Sequence, residues 1–264
     1  MSEPAAYSNI NTVAKLNGYF NWTFTYKSTS DFKLSLGRIV KIKEHPAGPA
    51  LENYIEYFGQ NNRHLANKTI KEFKAAWFVS NCHSQSRRED FVKAMQKNGI
   101  IVDIYGKCGN FSCPKESQSS CLELLNTHYK FYLSFENSIC DDYVTEKYYY
   151  RLPYNVIPVV LGGANYSRFA PYKSYINALA FKNAGKLVQY MKMVHENDAK
   201  FASYFWWRDY YSIRKDGLEN RAQEYCQLCA KLHDPNLQPK IYHNLYKWWI
   251  VDSHCRSIES SRLQ

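Results

Sequence analysis

Asn137, Tyr143, Glu146 and Lys147 fall within eleven positions of the stretch KFYLSFENSICDDYVTEKYYYRL (residues 130–152), between an apolar run and a tyrosine-rich one. An amide, a phenol, a carboxylate and an ammonium at this spacing suit a nucleotide. Lys147 could meet a diphosphate, Asn137 donate to a phosphate oxygen and Glu146 accept from ribose hydroxyls. Such chemistry needs a strand end followed by a helix N-terminus, where unpaired N–H groups and a partial positive charge favour phosphate. Phe135 is expected to end the strand, and Asp141 or Asp142 to cap the next helix. Glu136 is expected to point away from Asn137 and to be structural. Spacing alone leaves open an ordinary capped helix whose Glu and Lys are solvated.

The elements that must position these groups are legible from residue 71 onward. AAWFVS (75–80) reads as a buried strand, SRREDFVKAMQKNG (86–99) as an amphipathic helix ended by Gly99, and IIVDIY (100–105) as a second strand. A cysteine-bearing loop follows, then a strand over 129–135, a helix over 143–152, a strand over 155–162, a short strand near 174–178 and helices to about 232. Strands alternating with helices predict an α/β fold, a parallel sheet covered on both faces. Residues 1–70 show no clean period, and the end, RSIESSRLQ, is expected to fray.

The totals bound the partners. Thirty-four Lys and Arg against twenty-four Asp and Glu give +10, which favours anionic ligands without choosing among them. No apolar run is long enough to span a bilayer, and MSEPAAYSNI lacks the form of a signal peptide. Eight cysteines suit a disulfide framework or a set of buried thiols. Sequons at Asn21, Asn67, Asn110 and Asn165 add to the case for a secretory protein, so an N-terminal piece is expected upstream. Cys226-x-x-Cys229 with His233 could be half a zinc site, but no second pair stands at suitable spacing.

FYLSFENSICDDYVTEK resembles the signature of the α1,3-fucosyltransferases, a Phe-Glu-Asn turn followed six residues after the Asn by Tyr-Val/Ile-Thr-Glu-Lys. FNWTFTYKSTSDF (20–32), AAWFVSNCHSQSRREDFVKAMQ (75–96), IPVVLGGANYSRFAP (157–171), YFWWRDYY (204–211) and YCQLCAKLH (225–233) resemble further segments of that family, in order. VDIYGKCGNFSC and CQLCAKLH are most similar to its branch acting on the N-glycan core in invertebrates and plants.

The resemblance implies a GT-B glycosyltransferase: a Rossmann-like GDP-fucose-binding domain over residues 71–232, a remnant of the acceptor-binding domain with an interdomain segment over 1–70, and a C-terminal helical extension or tail over 233–264. The membrane helix and most of the acceptor domain would precede residue 1, with residence in the Golgi lumen. The implied reaction moves L-fucose from GDP-β-L-fucose to an N-acetylglucosamine hydroxyl of a glycoprotein N-glycan with inversion, giving an α1,3 linkage. The alternative is an impaired remnant that binds GDP-fucose or a partner without turnover.

Residue by residue, the resemblance carries a catalytic base to Glu3, seventeen residues before Phe20, although Glu-Pro-Ala replaces the family's Glu-Ser-Pro-like segment. A carboxylate so near a frayed terminus is a poor base. The resemblance makes Arg88 a phosphate-binding arginine, with Arg87 the fallback. Asn137 and Lys147 become phosphate contacts, Tyr143 a nucleotide contact and Glu146 a ribose contact. It suggests a disulfide near the C-terminus involving Cys226 and Cys229. In SYINALAF, Leu179-Ala180 stands where the family has an acidic pair, so no sugar or metal contact is expected there. No cofactor or bound metal is required; Mn or Mg would at most stimulate. Nothing matches an RNA-binding motif, so nucleic acid is not expected as a partner.

Overall fold

The computed structural model describes residues 3–66, 70–113, 118–215 and 218–264. At its centre is a parallel sheet of five strands: β4 (Lys74–Phe78), β5 (Ile101–Tyr105), β6 (Phe131–Phe135), β7 (Ile157–Leu161) and β8 (Ile176–Asn177), in the order β5-β4-β6-β7-β8. Ahead of it come α1 (Ile10–Lys15), β1 (Phe24–Thr25), β2 (Phe32–Lys33), β3 (Gly37–Lys41) and α2 (Pro49–Asn61). The crossovers and the remainder supply α3 (Arg88–Lys97), α4 (Gln118–His128), α5 (Glu146–Tyr149), α6 (Ala184–His195), α7 (Asp198–Ser203), β9 (Tyr211–Lys215), α8 (Leu218–Leu232) and α9 (Leu245–Trp249). The doubly covered α/β sheet expected from the sequence is the one observed.

Strand alternation explains how both faces are buried. Trp77, Phe131, Leu133 and Phe135 belong to a large core with Phe91 and Met95 of α3 and Leu187 and Met191 of α6. Their neighbours Ala76 and Tyr132 belong to a second core with Leu125 of α4 and Tyr129. Each fully buried side chain of this size contributes about 1.5–3 kcal/mol. The register follows: Leu133 lies opposite Val159, and Phe135 opposite Leu161.

Residues 3–66 are not peripheral. β3 pairs antiparallel with β9, Gly37 opposite Lys215, and the bare Cα of Gly37 admits the Tyr149 side chain, whose Cβ lies 2.5 Å from where a Cβ on Gly37 would stand. α2 packs on α7 with Gly59 against the Ala199 carbonyl. A third, smaller core joins Ala5 and Val13 of the N-terminal segment to Leu245 and Trp249.

The end of the chain does not fray, contrary to expectation. Cys255 is bonded to Cys140, the Ile258 N–H donates to the Ser86 carbonyl at 3.1 Å, and Arg262 donates to the carbonyls of Leu179 and Phe181. A polar composition was overruled by one apolar anchor, Ile258, 3% exposed, and by backbone pairing. Two further disulfides join Cys82 to Cys108 and Cys113 to Cys121.

Candidate functional site

The site gathers where β4 and β6 end. Beyond Phe135 the chain turns through Glu136 and Asn137 and reaches α5 by way of Tyr143. The helix cap is neither Asp141 nor Asp142, as expected, but Thr145, whose hydroxyl accepts from the Lys147 N–H. The two aspartates instead face the N-terminal segment and the tail. Asp142, in left-handed backbone at φ 60°, accepts from the Ser28 N–H at 2.8 Å, and Asp141 lies 2.8 Å from Nδ1 of His254.

Lys147 extends back to the strand end. Its Nζ lies 3.1 Å from Oε2 of Glu136, 2.8 Å from the Thr145 hydroxyl and 3.4 Å from Glu146. Burial alone would lower this ammonium, but the carboxylates of Glu136 and Glu146 outweigh it and hold Lys147 above the usual lysine range. Glu136 is fully buried. Loss of solvent pushes its carboxyl upward, while the Lys147 charge and the Thr145 N–H pull it back. Glu136, expected to point away from Asn137 and to be structural, is the buried counter-ion that aims Lys147. Strand alternation continued one residue past the end of β6 gave the direction but could not foresee that α5 folds back over that face, where Ser134 donates to the Lys147 carbonyl.

Arg88 reaches the same strand end from α3. It is 3% exposed, donates from Nη1 to the Phe135 carbonyl at 2.7 Å and from Nη2 to the Asn81 carbonyl at 3.1 Å, and lies over the Trp77 ring. Its charge is near enough to Lys147 to push that ammonium downward. Arg87, the fallback, is a surface group paired with Asp90 at 3.0 Å and carries no such placement. Asn137 is 8% exposed, and its amide oxygen has no hydrogen-bond partner, a buried polar group of the kind that elsewhere is satisfied. Its backbone is fixed by Ser86, whose N–H donates to the Asn137 carbonyl. Tyr143 is buried against Tyr26, ring centroids 5.0 Å apart, and burial, Glu136 and Glu3 all raise its hydroxyl, which stays protonated. Glu146 is half exposed beside Lys147. The four motif residues and Arg88 thus surround one strand end.

Glu3 is exposed, yet the segment behind it is docked. Pro4 and Ala5 are buried, the Ala5 N–H donates to the Tyr26 hydroxyl at 3.1 Å, and the Tyr7 hydroxyl donates to the Asn137 carbonyl at 3.4 Å. The frayed terminus expected there is replaced by a short 3-10 turn over Ala5–Tyr7. Tyr7 and Tyr26 are the contributors not singled out in the sequence; both lie in stretches without a clean period, which carry no signal of a contact with residues more than a hundred positions away.

Other expected positions divide. Asn21, Asn110 and Asn165 are exposed, Asn21 donating to the Lys240 carbonyl and Asn165 capping the turn at 166–168. Asn67 lies outside the described residues. Cys226 and Cys229 are exposed and unbonded, so the disulfide between them is not present. Both lie on α8 three positions apart, where helical geometry separates Cβ atoms by ~5–6 Å against the ~3.5–4.5 Å a disulfide needs. Among the described residues no group of three or more His, Cys, Asp or Glu could hold a metal ion.

Comparison with known proteins places this geometry in context. The glycosyltransferase family 10 (fucosyltransferase) C-terminal model matches residues 68–248. The chain is 39% identical over 255 residues to Drosophila melanogaster alpha-(1,3)-fucosyltransferase C, covering 93% of this chain and 57% of that protein. It is 34% identical over 240 residues to Drosophila melanogaster glycoprotein 3-alpha-L-fucosyltransferase A, covering 89% and 44%. The chain thus spans about half the length of these curated relatives. A crystal structure of an alpha1,3-fucosyltransferase with GDP shares the fold at a TM-score of 0.50 and 15% identity, over 96% of this chain and 71% of that one.

Proposed function

The chain belongs to the glycosyltransferase family 10 fucosyltransferases, and from that premise we propose that it binds GDP-β-L-fucose and transfers L-fucose, with inversion, to an N-acetylglucosamine hydroxyl of a glycoprotein N-glycan. The observation that carries the reading is the convergence of the Arg88 guanidinium, the Asn137 amide and the Lys147 ammonium on the end of β6.

In this reading the acceptor oxygen attacks C1 of fucose as the bond from C1 to the β-phosphate oxygen breaks, and GDP departs with the electron pair. Negative charge grows on the departing phosphate, where Arg88 and Lys147 stabilise it before water can. The acceptor proton passes to the Glu3 carboxylate. Glu146 accepts from the ribose hydroxyls, and Tyr143, kept protonated by its burial, donates to the nucleotide. Three disulfides support residence in an oxidising compartment, which we take to be the Golgi lumen, with membrane attachment through sequence outside this chain.

Calorimetric titration of GDP into the chain tests the site. Lys147→Ala is expected to weaken binding about tenfold to a hundredfold, the worth of a hydrogen bond to a charged group. Equal GDP affinity in both proteins would remove Lys147 from the site. Release of GDP from GDP-fucose on a core N-glycan then separates transfer from binding alone.

A further inference from the structure

The hydroxyl of Tyr7 meets three groups from the two loops that lead to the candidate phosphate contacts. It donates to the Asn137 carbonyl at 3.4 Å and accepts from the Asn81 side-chain amide at 3.3 Å and from the Gln85 N–H at 3.5 Å. Asn81 and Gln85 belong to the loop between β4 and α3, and Asn137 to the loop between β6 and α5. One phenol therefore spans both, with its proton and both of its acceptor directions in use. Each bond is long, so the hold comes from their number rather than from any one of them.

Two of the partners lead on to candidate ligand groups. The Asn81 carbonyl accepts from Nη2 of Arg88, so the residue that Tyr7 holds by its side chain is the one that holds the guanidinium by its backbone. The Asn137 carbonyl also accepts from the Ser86 N–H at 3.0 Å. With the Tyr7 hydroxyl both of its lone pairs are engaged, which limits how the residue bearing the unpartnered amide oxygen can turn. Ser86, without solvent exposure, ties the loops from inside, its hydroxyl donating to the Glu136 carbonyl at 2.8 Å; Tyr7 ties them at the rim.

The Tyr7 ring is 42% exposed, so burial does not account for its place. Nor is its hydroxyl needed to dock the segment that bears it. On one side the buried Ala5 donates to Tyr26, and on the other the Ser8 hydroxyl accepts from the Trp249 indole N–H at 2.8 Å. The hydroxyl can be removed while both anchors stay.

We propose that Tyr7 is a positioning residue: its hydroxyl sets the loop before α3 and the loop after β6 in the register at which Arg88 and Asn137 face one diphosphate. The proposal rests on the nucleotide-site reading above and adds to it a group that assembles the site without touching the ligand.

GDP is titrated by calorimetry into the parent chain, Tyr7→Phe, Asn81→Ala, the variant carrying both, and Lys147→Ala as a control, with unfolding curves on the same samples. Residues 7 and 81 are exposed, so the unfolding midpoints of their variants are expected to stay close to the parent's. Tyr7→Phe is expected to weaken GDP about fivefold to tenfold and Asn81→Ala, which keeps its backbone carbonyl, about threefold. The variant carrying both is expected to bind GDP as Tyr7→Phe does, because the second substitution removes a link already broken. GDP affinity within about twofold of the parent in Tyr7→Phe, or losses that multiply in the variant carrying both, would overturn the proposal while Lys147→Ala still showed the site to be present. A lowered unfolding midpoint with GDP affinity intact would likewise reduce Tyr7 to a structural contact. Equal GDP binding in every protein, Lys147→Ala included, would remove the nucleotide site itself and this role with it.

Discussion

Glu136 shows how one buried charge sets another. Its carboxylate, without solvent exposure, lies 3.1 Å from an ammonium that is itself one-fifth exposed, and the Thr145 N–H and hydroxyl satisfy its remaining lone pairs. Removing one member of such a pair leaves the other partly buried and unmatched. Glu136→Gln keeps the shape and removes the charge, and is expected to lower stability by about 3 kcal/mol, toward the low end for a broken buried pair because Lys147 retains some solvent. Denaturant unfolding reads the loss directly. If Glu136 merely filled space, the isosteric amide would cost almost nothing and GDP affinity would not fall. The sequence offered Asn137, Tyr143, Glu146 and Lys147 as candidates because their types and spacing fit a nucleotide. Glu136 was hidden because its role depends on where a later helix folds, which no local pattern encodes.

Elements were legible where burial is periodic. β4 to β7 and α3 stand close to their expected spans because each alternates or repeats against a core. α5 is shorter than the helix read over 143–152, since Thr145 begins it and Pro153 follows soon after. α2, α4 and the pairing of β3 with β9 were not legible: α2 and β3 depend on distant partners in α7 and β9, and α4 follows a cysteine loop that masks its start. The end of α6 carries a testable consequence of packing. His195 has lost solvent and faces the Lys130 ammonium, both of which lower its pKa below the usual 6.5; Glu196, Asp198 and the hydrogen bond to the Lys71 carbonyl pull the other way and do not prevail. Lys130 donates to the His195 carbonyl itself, so the helix terminus that would ordinarily welcome an imidazolium is already occupied. The folded state therefore binds this proton less readily than the unfolded chain. The stability His195 contributes is complete above pH 6.5 and is lost as pH falls through that value toward the depressed folded one. The melting temperature is expected to drop between pH 7 and pH 5.5, and His195→Gln to flatten that slope. An identical slope in the variant would show that other groups govern the acid limb.

At the scale of the molecule, the two ends of the chain close over the loops that build the site. The N-terminal turn reaches Asn137 through Tyr7, and the tail reaches Ser86 through Ile258, Gln85 through the Ser257 hydroxyl, and Ile139 through Arg256. Those contacts grip the two loops that carry Arg88 and Asn137. The disulfide between Cys140 and Cys255 fixes the tail there across 115 residues of sequence, a loop long enough that the chain-entropy account gives it a large effect on the unfolded state. Cys255→Ala is expected to lower stability by about 2–4 kcal/mol, more than loss of the Cys113–Cys121 bond, which spans only 8 residues. A second effect follows from where the tail lies: the loops it releases carry Arg88 and Asn137, the groups proposed to meet the phosphates, so GDP affinity should fall about fivefold or more under conditions where the variant is still folded. Unfolding curves and GDP titrations on the same samples separate the two. Stability lost with GDP affinity intact would mean the tail is a fastener for the fold alone, whereas both falling together would show that the last ten residues of the chain hold the nucleotide loops in their binding geometry.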